Sequence, residues 1–233
     1  NAWWQFTLKL LTRSVSDCQG KAFPSIGAFG GSGDCLAALR GTEPLLYDLC
    51  DCPERVKEAE KILMDIWIKV YSVFYELVAP VSDGGSTCWF PLWAPGKFYA
   101  SQCDFSCMIS PSLFEEIFLP AIEQQLNFLD YAIYHVDGTG AFRHVPALCA
   151  LPGLQAIQIL PGTGQGSPLK YLDVLKYVQA HGKNLHLTLA AEEVKVALEH
   201  LSGRGLFLAT SCRSEEEAKR LLKECEKWSQ DRG

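Results

Sequence analysis

The stretch "NLHLTLAAEEVKVALEHLSGRGLFLATS", residues 184–211, contains the pattern that decides the fold class. Its first six residues have the composition of a short strand. Residues 190–205 follow with apolar side chains at helical spacing, and residues 206–211 again have the character of a strand. A strand, a helix and a strand in this order predict a βαβ unit, in which the two strands run parallel.

The same alternation extends over most of the chain. A helix closed by Gly182 is predicted over residues 168–182, and the last helix begins with Ser214 and Glu217, which form an S-x-x-E capping box. Another helix begins at Ser110 and Pro111, a long one covers residues 53–78, and a short one covers residues 33–40. Apolar spacing predicts that the long helix buries a face of Val56, Ile62, Ile66, Val70 and Leu77, and that the last helix buries Ala218, Leu221, Leu222 and Cys225. Residues 83–97 are predicted to form an aromatic loop or hairpin. Further strands are predicted at residues 22–29, 98–106, 131–136 and 154–160. Six strands, each followed by a helix, predict an α/β fold with a parallel sheet covered by helices.

Two architectures are compatible with this pattern. An open, doubly wound sheet would need a glycine-rich phosphate loop after its first strand, and "GAFGGSGD", residues 27–34, lacks the G-x-G-x-x-G spacing. A (β/α)8 barrel needs eight units, and six are present. We therefore expect a single domain over residues 1–233, built as a barrel with about six of its eight units.

Composition excludes several classes of protein. The net charge of −6 and the scattered basic residues are unlike those of a nucleic-acid-binding protein. The most apolar region, residues 62–81, carries Asp65, Lys69 and Glu76, which favours a buried helix over a membrane span. The ten cysteines include no C-x2-C pair, which indicates reduced thiols and a cytoplasmic protein.

Several segments together resemble the uroporphyrinogen decarboxylase superfamily, which also contains corrinoid- and thiol-dependent methyltransferases. They are "GDCLAALRGTEPLLYDLCDCPERV" at 33–56, "DFSCMISPSLFEEIFLPAI" at 104–122 and "YHVDGTG" at 134–140. The resemblance implies a (β/α)8 barrel whose third to eighth strands are present, so that we expect a longer native protein. Edge strands left by the missing units are expected to promote association, for example as a homodimer.

Polar residues stand at the predicted carboxyl ends of several strands, where a barrel of this kind places its catalytic groups. They are Asp104, His135, Asp137, Gln158 and Cys212. His135 and Asp137 are two positions apart on a strand and therefore share a face. We expect Asp104, His135 and Asp137 to be catalytic, and Gln158, Arg143, Tyr99 and Trp93 to bind a small-molecule substrate.

The superfamily resemblance also implies a metal site. Its methyltransferases bind zinc through His-x-Cys on one strand and a cysteine at the end of the last strand. His135, Asp137 and Cys212 match those positions, with aspartate in place of the first cysteine. The resemblance therefore implies zinc, transfer of a methyl or other one-carbon group, and a corrinoid protein as partner. The alternatives are a decarboxylase acting on a polycarboxylate, and a non-catalytic or inactive fragment.

Structural explanations compete with these assignments. Cys212 has the character of a small buried hydrophobic residue, and His135 with Asp137 has that of a hydrogen-bonded pair. Arg143 and His144 lie near the start of a helix, either against an anionic group or on a solvated surface. His186 is interpreted as structural.

Overall fold

The computed structural model describes residues 1–232, and its contacts divide the chain into two units, residues 1–133 and residues 134–233. Each unit is described by itself below. Among the described residues, no helix combines the length and the apolar character that crossing a membrane requires.

The first unit is mainly helical. Its elements before the hairpin are α1 (Ala2–Cys18), α2 (Ser32–Arg40), α3 (Thr42–Asp51) and α4 (Pro53–Val78). Asn1 caps α1 through its side-chain oxygen, which accepts a hydrogen bond from the Trp3 N–H at 2.9 Å. Pro53 is the first residue of α4, a position where the backbone N–H makes no intrahelical hydrogen bond, so the lack of an N–H in proline costs nothing there. The predicted bounds of α4 are confirmed, α2 begins one residue before its predicted start, and α3 was not predicted.

The face that α4 buries differs from the predicted one. The sequence pattern favoured a stripe of Val56, Ile62, Ile66, Val70 and Leu77. Val56 of this stripe is buried, but Ile62 and Ile66 are 53% and 48% exposed. The buried residues of α4 are Val56, Glu60, Met64, Trp67, Tyr71, Phe74 and Val78. Large apolar residues of α4 occur on its exposed side as well as on its buried side, so spacing alone did not select the stripe that packs. The buried face that results includes one charged residue type, the glutamate Glu60.

The remainder of the first unit contains a hairpin, one strand of the main sheet and an interrupted helix. Strands β1 (Ser86–Thr87) and β2 (Trp93–Ala94) pair antiparallel, so the aromatic stretch 83–97, predicted as a loop or hairpin, forms a hairpin. Strand β3 (Phe98–Gln102) follows. Helix α5 (Pro111–Leu113) passes into a π-helical turn (Phe114–Phe118) and then into α6 (Leu119–Phe128). Pro120 cannot donate a backbone hydrogen bond, which explains the irregular turn immediately before it.

The second unit alternates strands and helices as predicted. Its strands are β4 (Tyr131–Asp137), which begins at the boundary of the units, β5 (Ala156–Leu160), β6 (Asn184–Thr188) and β7 (Leu206–Ala209). Its helices are α7 (Val145–Ala150), α8 (Leu172–Ala180), α9 (Val194–His200) and α10 (Glu215–Trp228). Gly182 follows α8 with φ +72°, the left-handed conformation expected of a residue that terminates a helix.

Strands β3 to β7 form one five-stranded parallel sheet in the order β3-β4-β5-β6-β7. This order follows the chain without the reversal that characterises doubly wound sheets. The α/β class is thereby confirmed, whereas a closed (β/α)8 barrel is not demonstrated. The predicted strand at 22–29 is wrong, because this stretch forms neither a strand nor a helix. It contains Pro24, which has no N–H for a ladder.

The predicted buried face of the last helix is also partly wrong. Leu222 is 67% exposed, and no residue of α10 is fully buried. The predicted cap is present, since Ser214 Oγ accepts a hydrogen bond from the Glu217 N–H at 3.2 Å. The return hydrogen bond of the capping box is displaced by one residue, because Glu217 Oε2 accepts from the Arg213 N–H at 2.7 Å.

Candidate functional site

The candidate site lies at the end of β4 in the second unit. Along this strand, Ala132, Ile133, Tyr134 and Val136 are buried, and the final residue, Asp137, is half-buried. Gly138 follows with φ +87°, and its N–H donates a hydrogen bond to the Leu160 carbonyl at 2.9 Å. This bond ties the end of β4 to the end of β5. The polar groups at the two strand ends are therefore held in one place.

Gln158 holds the ring of His135. The His135 Nδ1–H donates a hydrogen bond to Gln158 Oε1 at 2.5 Å. An amide oxygen only accepts hydrogen bonds, so this contact places the imidazole proton on Nδ1. The lone pair of the neutral ring is then on Nε2, the atom that can bind a metal or accept a proton.

Asp137 lies beside that second nitrogen. The distance from His135 Nε2 to Asp137 Oδ2 is 3.9 Å, and the two side chains are 11% and 42% exposed. The predicted pairing of His135 with Asp137 on one strand face is therefore present. A carboxylate at this distance stabilises a proton or a cation held at Nε2.

His186 is a second imidazole close to this pair, and the sequence interpretation treated it as structural. It is the register partner of Gln158 on β6 and is buried, at 3% exposure. Burial lowers the pKa of His186 to about 4, and the charge of His135 lowers it further. The ring also contacts Phe207 on β7, with 4.7 Å between ring centroids. The sequence signal for this neighbourhood is a polar residue in the middle of an apolar strand: Gln158 in "AIQIL" and His186 in "NLHLT".

His135 and Asp137 fit a metal ion in part. Nitrogen and oxygen ligands at about 2.1 Å from a tetrahedral zinc are about 3.4 Å apart, slightly less than the 3.9 Å between Nε2 and Oδ2. The hydrogen bond from Nδ1 to Gln158 is the support that metal-bound histidines usually have. Within residues 1–232, however, no group of three or more His, Cys, Asp and Glu residues could hold a metal ion. His135 and Asp137 therefore supply at most two of the three protein ligands that a catalytic zinc site requires.

The other predicted site residues occupy varied positions. Cys212 is half-buried in the segment after β7. Arg143 is exposed, and its Nε–H donates to the Gly140 carbonyl at 2.7 Å. Asp104 belongs to the first unit, where the Gln102 side-chain amide donates to it at 3.5 Å and to Asp34 at 3.1 Å. That Asp104 and Cys212 join the His135 site stays a prediction.

The two predicted aromatic substrate contacts both belong to packed parts of the first unit. Tyr99 is 1% exposed, and its hydroxyl donates to the Gly30 carbonyl at 3.4 Å. Burial raises its pKa well above the ordinary value. Trp93 is 40% exposed, stacks on Phe23 and donates its indole N–H to the Ser82 carbonyl at 3.1 Å. These contacts give both side chains structural roles.

No family model matches this chain, and neither a curated protein nor a solved structure is significantly similar to it. The resemblance to the uroporphyrinogen decarboxylase superfamily therefore rests on the sequence motifs.

Proposed function

We propose that this protein is an enzyme of the uroporphyrinogen decarboxylase superfamily that transfers a methyl or other one-carbon group to a small-molecule thiol. The observation that carries the proposal is the triad of His135, Gln158 and Asp137. A histidine whose tautomer is fixed and whose other nitrogen faces a carboxylate is suited to activating an acidic nucleophile.

The residues of the chain have distinct roles in this proposal. Gln158 holds the Nδ1–H of His135 and thereby directs the Nε2 lone pair towards the substrate. When the thiol gives up its proton, Nε2 accepts it and the ring becomes an imidazolium. Asp137, 3.9 Å away, stabilises that positive charge. The resulting thiolate is a far better acceptor of a methyl group than the thiol.

A zinc ion would be held by His135 and Asp137, with Cys212 as the remaining candidate ligand of the chain. When bound, zinc would lower the pKa of the substrate thiol and so serve the same purpose as proton transfer to His135. A corrinoid protein stays the proposed methyl donor.

Methylcobalamin and a panel of small thiols test the proposal. The purified chain should demethylate methylcobalamin in the presence of one of these thiols, with the methyl thioether identified by mass spectrometry. His135→Asn should abolish the reaction, and His200→Asn, which changes an exposed histidine, should leave it unchanged. Metal analysis of both variants should show lower zinc content only in the first. Equal activity of the two variants would overturn the proposal.

A further inference from the structure

A second polar cluster, remote in sequence from His135, surrounds the start of α2 in the first unit. The glycine-rich loop before this helix is held by Trp67, whose indole N–H donates to the Gly30 carbonyl at 3.1 Å. Ser32, the first residue of α2, has φ +27° and is 3% exposed. Its hydroxyl donates a hydrogen bond to Glu60 Oε2 at 3.0 Å. A buried carboxyl group of α4 is thus joined to the amino-terminal end of another helix.

Two buried polar atoms of this cluster have no hydrogen-bond partner within residues 1–232. They are Glu60 Oε1 and Gln125 Nε2, and both residues are only 1% exposed. Gln125 Nε2 is directed at the end of the helix, since it is 3.8 Å from the position that a Cβ on Gly31 would occupy. Buried polar atoms usually have partners, because each one left without a partner costs about 1–3 kcal/mol.

The two side-chain atoms without a partner at the start of α2 are hydrogen-bond donors, and the Gln102 carbonyl oxygen, an acceptor, is 3.6 Å from the same Cβ position on Gly31. Burial raises the pKa of Glu60 to about 8, and the charge of Asp34 raises it further, against the lowering effect of the Ser32 hydrogen bond. Glu60 is therefore neutral at pH 7, and because its Oε2 accepts from Ser32, Oε1 is the atom that carries the proton. Gln125 Nε2 is also a donor, and the positive end of the α2 dipole lies beside both.

We propose that the start of α2, with Glu60 and Gln125, is a binding site for an anionic oxygen group, the carboxylate or phosphate of a small ligand. Two donor side chains and a helix amino terminus match such a group in chemistry. A metal cation fits poorly, because Gln125 presents a donor and no group of three or more potential metal-binding residues occurs in the described chain.

Glu60 also connects the cluster to solvent. It lines a groove of about 490 Å³ that is bounded by residues of α4, the π-helical turn and α6. The charged residues along this groove balance, since Lys57 and Lys61 are accompanied by Glu54 and Glu58. The groove therefore offers a route to Glu60, whereas selection of the anion depends on the buried donors.

The other titratable groups near Glu60 do not take over its role in controlling the pH dependence of anion binding. Asp34 is already engaged, because its Oδ1 accepts from the Phe105 N–H at 2.9 Å and its Oδ2 from Gln102. The thiols of Cys35 and Cys103 have pKa values raised by burial, so they carry no charge at neutral pH. The anion should therefore bind while Glu60 is protonated, and binding should weaken when Glu60 ionises.

Thermal unfolding of the full chain with acetate or inorganic phosphate, at ionic strength matched with sodium chloride, tests the proposal. Near pH 6.5, one of the two anions should raise the melting temperature in a saturable way, and near pH 9, above the pKa of Glu60, the effect should disappear. Glu60→Gln should retain binding and lose its dependence on pH. Glu76→Gln, an exposed change on the same helix away from the groove, should behave like the wild type.

Gln125→Met removes the second donor and should weaken the anion about tenfold or more, as expected for the loss of one hydrogen bond to a charged group. An effect of acetate alone identifies a carboxylate site, and an effect of phosphate identifies a phosphate site. If neither anion exceeds sodium chloride, or if Gln125→Met binds as well as the wild type, the proposal is wrong. Should Gln125→Met fail to fold, the pH profile of Glu60→Gln decides, and a profile equal to that of the wild type overturns the proposal. Neither readout requires catalytic activity, so the result is independent of the proposed methyl transfer.

Discussion

Raising the pH through the titration of Glu60 should destabilise this protein. The folded state holds the Glu60 proton with a pKa of about 8, whereas the ordinary value of 4.5 applies after unfolding. A carboxyl group whose pKa is raised by folding contributes stability that is fully present below the unfolded value. That contribution is lost as the pH rises towards the folded value.

The expected loss follows from the difference between the two pKa values. Unfolding releases about one proton at pH 6 and about half a proton at pH 8, and over this interval the free energy of unfolding decreases by about 2 kcal/mol. Over the whole interval from 4.5 to about 8, the decrease is roughly 4–5 kcal/mol. A change of this size is a large fraction of the stability of an ordinary domain.

Denaturant unfolding of the wild type and of Glu60→Gln at a series of pH values measures this effect. Glutamine can still accept the hydrogen bond from Ser32 but does not titrate, so the difference in stability between the two proteins should change by about 2 kcal/mol from pH 6 to pH 8. Taking the difference cancels the titration of other groups such as His186. Glu58→Gln should run parallel to the wild type, because Glu58 is exposed. If Glu60→Gln also runs parallel to the wild type, the raised pKa is refuted.

Three further predictions concern the second unit. In the folded protein His186 should stay neutral down to about pH 4, whereas the unfolded chain takes up a proton near pH 6.5, so the free energy of unfolding should decrease as the pH falls from 6.5 towards 4. NMR titration of its ring protons measures the folded pKa, and a midpoint near 6.5 would contradict this prediction. Gln158→Leu removes the acceptor of the His135 Nδ1–H, so ¹⁵N NMR should show a mixture of ring tautomers, and an unchanged spectrum would contradict the assigned contact. Ser214→Ala removes the cap of α10 and should cost about 1 kcal/mol in denaturant unfolding, whereas no change would show that the cap contributes nothing.

The strands of the second unit were predictable because their signals are local. Each is a short apolar run next to a glycine or a helix cap, and the helix ends at Gly182 and Ser214 have the expected geometry. The stretch 22–29 has a similar apolar content but contains Pro24, and within it the Ile26 N–H donates to the Thr87 carbonyl at 2.9 Å. Apolar content alone therefore did not distinguish a strand from an extended segment.

The His135 site was predictable in part for the same reason. His135 and Asp137 are close because a strand has a period of two, which is visible in the sequence. The contact between His135 and Gln158 depends on parallel strands ending at one edge, which the predicted alternation already implied. His186 reaches the same region through the register between β5 and β6, and a register between strands cannot be derived from either strand alone.

Glu60 shows a different limit of sequence patterns. A glutamate flanked by charged residues in "ERVKEAEK" is typical of an exposed helix face, since an ionised carboxylate is rarely buried. In the structure Glu60 avoids the cost of burying a charge, because it is buried in its neutral form and accepts a hydrogen bond from Ser32. The protonation state is thus an outcome of tertiary packing, and it decides which face of α4 can enter the core. The same neutral carboxyl group, beside Gln125 and the start of α2, is what makes an anion site possible in a protein of net charge −6.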